Sequence, residues 1–240
     1  AAGLLAVQTH AAVEVSESAD SDVTGAQMQA PAWQADLNLR RWSQEEFHSV
    51  LTARIDALAE THADERVNVF LDMAELYMGQ MLLYEASSIL SEVEPKSEAV
   101  RRRWQALSDA VSLLSGRSLE GFQVSPLSQT QRPDRHFWQA LQAIALGDAE
   151  TLRENLKGGL TGLVYQSRSV ARVVLPILTE AMIEIGEHKL AQQALDLIQA
   201  FPGMAESPLG YYLRGRDAQL QENDSMALEA YFEVAKGWDR

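Results

Sequence analysis

From Arg41 onward, large apolar residues recur every three or four positions with polar residues between them, a spacing that puts one apolar stripe on a helix. "WSQEEF" (42–47) places Ser43 as an N-cap with Glu46 three residues later, a capping box. The helix it opens carries Phe47, Val50, Leu51, Ile55 and Leu58 on one stripe. A second helix starts near Asp64, with Val67, Phe70, Leu71, Ala74, Tyr77 and Met78 at helical spacing. A third runs from about Leu83 to Val93 and stops before Pro95. A fourth starts near Ser97, carries Val100, Trp104, Leu107, Val111 and Leu114, and ends near Gly116. No segment alternates with period two, so the pattern predicts an all-α chain. "KGGLTG" (157–162) reads as an internal loop, because three glycines in six positions disfavour helix. Pro176 reads as a kink or a restart inside the following helix.

The helices pair. In "MAELYMGQMLLYEASSIL" (73–90), small Ala74 and Ala86 flank a polar break at Gly79-Gln80, as two helices crossing closely would require. Taking Ala74 as origin, the turn ends at +7 (Met81), the second small residue is at +12 (Ala86) and a large one at +16 (Leu90). The same template recurs at Ala140, Gly147, Leu152 and Leu156, at Thr179, Gly186, Ala191 and Leu195, and at Gly215, Glu222, Ala227 and Tyr231. A degenerate copy lies at Asp109, Gly116, Gly121 and Ser125. The turn positions 81, 116, 147, 186 and 222 are 35, 31, 39 and 36 residues apart, near the ~34-residue period of helix–turn–helix arrays. One hairpin cannot bury its own apolar face, so copies are expected to stack.

"MAELYMGQMLLYEASSILSEVEP", through Ala74, Tyr77, Ala86, Leu90 and Pro95, resembles a tetratricopeptide repeat (TPR), and so does "YYLRGRDAQLQENDSMALEAYFEVA" (211–235), through Gly215, Ala227 and Tyr231. Residues 175–198 match less well and 104–125 barely. The wording of the chain is also similar to bacterial exported repeat proteins. The resemblance implies an α-α superhelix, a TPR-like solenoid over 41–240, whose members bind peptides or helices of other proteins and organise assemblies.

Residues 1–40 form a different zone, rich in Ser, Ala and Asp, with no Lys or Arg before Arg40 and with Glu14, Glu17, Asp20, Asp22 and Asp36 as charges. Lacking an apolar period, this zone reads as an extended tail or linker, with Trp33 as an anchor on the domain or on a partner. "AAGLLAVQTHAAVEV" reads equally as the remnant of a signal peptide or as a linker.

Charge narrows the partners. Twenty basic against 34 acidic residues give a net charge of −14, which disfavours nucleic acid and an anionic membrane surface. There is no cysteine, hence no disulfide, thiolate metal site or Cys nucleophile. No apolar run reaches the ~18 residues of a spanning helix, so any membrane association is peripheral. The five histidines are scattered, and no HExxH, GxSxG, EF-hand or phosphate-loop pattern occurs. We therefore expect no catalytic residue, metal or cofactor.

Binding surfaces are the remaining candidates. On the first hairpin, Asn68, Leu71, Asp72, Glu75 and Met78 are placed toward a concave groove suited to an apolar or basic target. Arg101-Arg102-Arg103 reads either as solvated helix surface or as a positive patch for an acidic segment, the tail included, in cis or on a neighbouring copy. At the C-terminal end, Tyr211, Tyr212 and Trp238 are candidate contacts, because no polar capping helix follows the last repeat; self-assembly through the tail or this repeat is a related expectation. The function expected is a non-enzymatic scaffold or adaptor, a structural subunit of a bacterial cell-envelope (periplasmic) assembly. The alternatives are an accessory domain of a larger envelope enzyme and a cytoplasmic peptide-binding regulator.

Overall fold

The computed structural model describes residues 32–42 and 46–238, apart from the side chains of residues 32, 63, 64 and 238. These residues belong to the unit Pro31–Arg240; the tail read over 1–40 lies, up to residue 31, outside the described residues. Eleven α-helices and four short 3₁₀ turns make up the described part, and no strand occurs among the described residues. A short N-terminal strap holds α1 (Ala32–Asp36) and the 3₁₀ turn Leu39–Trp42. The helices that follow are α2 (Phe47–Glu60), α3 (Ala63–Gly79), α4 (Leu83–Ser91) and α5 (Glu98–Leu114). Then come α6 (Arg135–Leu146), α7 (Ala149–Gly162), α8 (Arg168–Glu184), α9 (His188–Gln199), α10 (Pro208–Leu220) and α11 (Asp224–Trp238).

The closest packing is between sequence neighbours, α3 with α4, α6 with α7, α8 with α9 and α10 with α11. All five turn positions of the sequence template have left-handed backbone: Met81, Gly116, Gly147, Gly186 and Glu222, with φ from 58° to 78°. At each, the N–H of the next residue returns to the carbonyl five residues back, at 2.8–3.0 Å: Leu82 to Tyr77, Arg117 to Ser112, Asp148 to Ala143, Glu187 to Met182 and Asn223 to Ala218. This is one C-cap repeated five times, satisfying carbonyls the helix end leaves open. The small template residues are buried: Ala74, Ala140, Thr179, Ala86 and Ala191 are each 0 % exposed. At Gly215 a Cβ would stand 2.6 Å from the Tyr231 ring, so glycine is what lets α10 and α11 approach.

Two local readings change. "KGGLTG" is helix, the last turns of α7. A Cβ on Gly158 would lie 2.7 Å from His136 Cβ, and one on Gly162 2.8 Å from Phe137 Cβ. These glycines are the contact strip against α6, the same close-crossing role the template assigns to alanines. Pro176 lies inside a continuous α8, which overturns the restart but not the kink. The degenerate copy lacks a second helix; 3₁₀ turns Phe122–Val124 and Pro126–Ser128 take its place. There Asp109 and Ser125, at the small and large template positions, are joined by a hydrogen bond from Ser125 Oγ.

The capping box is not seen as read: Ser43 lies outside the described residues, and Glu46 itself takes the N-cap position of α2 without a side-chain bond. The strap, read as the end of the tail, packs on the helices instead, with Leu37, Leu39 and Trp42 at most 3 % exposed. Trp33 meets Tyr165 edge-on with centroids 5.9 Å apart, and its carbonyl accepts from Arg132 at 3.2 Å. The helices also meet across long sequence distance. Ser167, the N-cap of α8, donates its hydroxyl to the carbonyl of Gly79 at the end of α3, and Ser169 Oγ donates to Gln80 Oε1 at 3.3 Å.

Candidate functional site

The arginine run resolves into three different environments, because successive helical residues point in different directions. Arg101 pairs with Glu98 on the exposed face, at 2.8 Å. Arg102 Nε donates to both oxygens of Asp36 on the strap at 2.9 Å, and its Nη2 donates to Gln129 at 2.6 Å. Arg103 turns inward to Asp72 and Glu75 of α3, at 2.6 and 2.9 Å. Arg41, from the strap, bonds the same two carboxylates, Arg54 reaches Asp72 at 3.4 Å, and the Asn38 backbone N–H donates to Glu75.

Burial pushes the Asp72 carboxyl up, but the bonds and charges of Arg103 and Arg41 outweigh it and hold it below the ordinary 3.8. Burial likewise works against the Arg103 charge and is overcome by Glu75 and Asp72. The bond to Asp36 raises Arg102. Asp109 has no cation to help it, and burial pushes its carboxyl up against the opposing bonds from Ser125 and Gln105.

This network corrects the groove read on the first hairpin. Leu71 and Met78 are 0 % exposed and Glu75 is 1 % exposed, so these three are interior residues. Their face of α3 is covered by the strap and by α5. Of the five residues placed toward the groove, Asn68 alone is exposed, and Asp72 is half-buried. The sequence held one signal for this outcome, acidic Asp72 and Glu75 on a stripe otherwise apolar, which requires cations to cover it.

The C-terminal hairpin is different. Tyr211 lies half-buried with Arg214 over its ring at 4.5 Å, and lines a shallow cleft of about 490 Å³ with Met226, Glu229 and Glu233. Tyr212 is engaged inside the array, donating to Glu180 of α8 at 3.2 Å and accepting from Arg216 at 2.9 Å. The side chain of Trp238 lies outside the described residues. What the sequence reading missed is the outer face of α11. Leu228 is 70 % and Phe232 64 % exposed, one helical turn apart on one face, while Met226, 60 % exposed, lies on the side of α11 that lines the Tyr211 cleft. Their signal was present: α11 carries Ala227 and Tyr231 on its inward stripe and a second apolar pair, Leu228 and Phe232, one position on. A helix apolar on more than one side needs a second surface to cover it.

Among the described residues no group of three or more His, Asp or Glu is placed to hold a metal ion, and no helix is long and apolar enough to cross a membrane. Comparison with protein-family models, with curated proteins and with solved structures finds no match to this chain.

Proposed function

We propose that the chain is a non-enzymatic adaptor, a TPR-like helical array that binds another protein through the outer face of its C-terminal hairpin. One observation carries this reading: Leu228 and Phe232, one helical turn apart on the same face of α11, stand 70 % and 64 % exposed. Monomeric proteins rarely leave a contiguous large apolar patch open, and such patches mark interaction sites. Burying the Leu and Phe side chains would contribute about 1.5–3 kcal/mol each, enough to make them anchors. The half-buried Tyr211 and the acidic Glu229 and Glu233 would form a polar rim beside them. The TPR resemblance supports the same reading, since stacked hairpins present rigid helices to a partner segment. Placement in a bacterial cell envelope rests on the resemblance to exported repeat proteins.

The test is affinity capture from separated envelope and soluble fractions, with the native chain and with L228E/F232E as baits. The reading expects one stoichiometric partner, envelope-derived, held by the native chain and lost from the variant. A partner held equally by both baits would overturn the assignment to α11.

A further inference from the structure

The seam between Gly79 and Ser167 separates two clefts. One, about 370 Å³, has Phe47, Phe201 and Pro202 as apolar wall and Arg168 and Arg172 as its charges. The other, about 460 Å³, has Leu163 and Val164 as wall and shares Ser167 and Arg168, with Arg40 on its rim. Among the described residues no Asp or Glu lines either cleft. In a chain with 34 acidic and 20 basic residues, that is a local reversal of charge.

These arginines are also unlike the others nearby. Arg41, Arg102, Arg103 and Arg132 each hold a carboxylate. The side chains of Arg40, Arg168 and Arg172 have no hydrogen bond or ion pair among the described residues. Arg168 and Arg172 further occupy the first turns of α8, which has no acidic residue there. Cations at a helix N-terminus oppose the positive end of the helix dipole, so an anion is what this position lacks.

We propose that this seam binds an acidic peptide segment of a partner protein. Its carboxylates pair with Arg168 and Arg172, with a further one on Arg40. An apolar side chain between them lies against Phe47 and Phe201. An extended segment fits better than a small oxyanion, because the cations are spread over two clefts that each have an apolar wall. The partner being a protein is shared with the adaptor reading, but the surface is not: this seam lies on the strap, α3 and α8, away from the outer face of α11.

Fluorescence polarisation of the full chain with labelled ten-residue peptides tests it. One panel combines Glu or Asp with Leu or Phe in varied order, and a matched panel carries Gln and Asn in their place. Members of the acidic panel are expected to bind, and to weaken steeply with salt. R168Q/R172Q should lose about tenfold or more in affinity, as removal of charge-assisted bonds implies. R40Q should lose less. Neither Arg168 nor Arg172 bonds the fold, so R168Q/R172Q should keep the native melting temperature; R40Q on the strap serves as a second variant. L228E/F232E should bind the peptides like the native chain, which separates failure here from failure of the adaptor reading. The proposal is overturned if no acidic peptide binds, if acidic and amide panels bind alike, or if R168Q/R172Q and R40Q bind as the native chain does. Displacement of the peptide by low-millimolar inorganic phosphate would also overturn it, by revealing a simple oxyanion site.

Discussion

Asp36 and Arg102, 66 residues apart in sequence, meet with Arg102 Nε at 2.9 Å from both carboxylate oxygens. Asp36 is 5 % exposed, so its charge depends on this partner. The pair makes the strap a part of the helical array. Removing one side leaves a buried charge uncompensated, which costs more than the pair itself contributes.

R102A, which leaves the buried Asp36 carboxylate without its cation, is therefore expected to destabilise the chain by about 1–2 kcal/mol, discounted for the partial exposure of Arg102. R101A should change stability by no more than about 0.5 kcal/mol, because the Arg101–Glu98 pair is exposed. Chemical denaturation of both variants checks the contrast; equal effects would mean that the three arginines act as one surface patch.

Acid should weaken the Arg41–Asp72–Arg103 network in a defined window. The folded-state pKa of Asp72 is depressed, so its contribution is fully present above the ordinary value of 3.8 and is lost as pH falls through the folded value. D72N should flatten that limb of the stability curve and lower stability at pH 7. Asp109 has the opposite sign, since its folded pKa is raised. The penalty for its charge is present above the folded pKa and gone below the unfolded one, so D109N should gain stability at pH 7 and not near pH 3. Thermal melts across pH 2.5–8 at constant salt, about the range where carboxylates titrate, report both.

The repeated turn is testable at backbone level alone. A Cβ at Gly147 meets nothing within 4 Å, yet its φ is +68°. G147A should cost about 1 kcal/mol from backbone strain. Glu222 pays that strain already at φ 58°, and E222G should recover a few tenths to about 1 kcal/mol. Melting temperatures moving the same way in both variants would contradict the shared cap.

These turns were legible in the sequence because their cause is local: an apolar stripe stops, a glycine or polar residue follows, and small residues flank it at fixed offsets. The glycines at 158–162 were not, since glycine marks both a loop and a close helix crossing, and only the position of α6 decides between them. Leu71, Glu75 and Met78 failed as groove residues for a similar reason. Helical spacing shows which residues share a face, and the strap and α5 decide whether that face is open. The Gly79–Ser167 seam joins residues 88 apart through single hydroxyl and carbonyl groups, which leave no periodic trace.

G158A tests the crossing of α6 and α7. Alanine is the better helix former by about 1 kcal/mol, but its Cβ would sit 2.7 Å from His136 Cβ, an atom fixed to the α6 backbone. Overpacking of this kind costs about 1–3 kcal/mol, so net destabilisation is expected in denaturant melts. Net stabilisation would mean that the two helices do not cross as closely as 158–162 require.

The most direct measurement is site-specific photo-crosslinking in the native cell, with a photoreactive phenylalanine analogue at Leu228 or Phe232 and, as control, at the exposed Glu150 of α7. The adaptor account predicts a discrete adduct with one other protein from both α11 positions and none from Glu150. No adduct at either α11 position, or adducts only with a second copy of this chain, would contradict it.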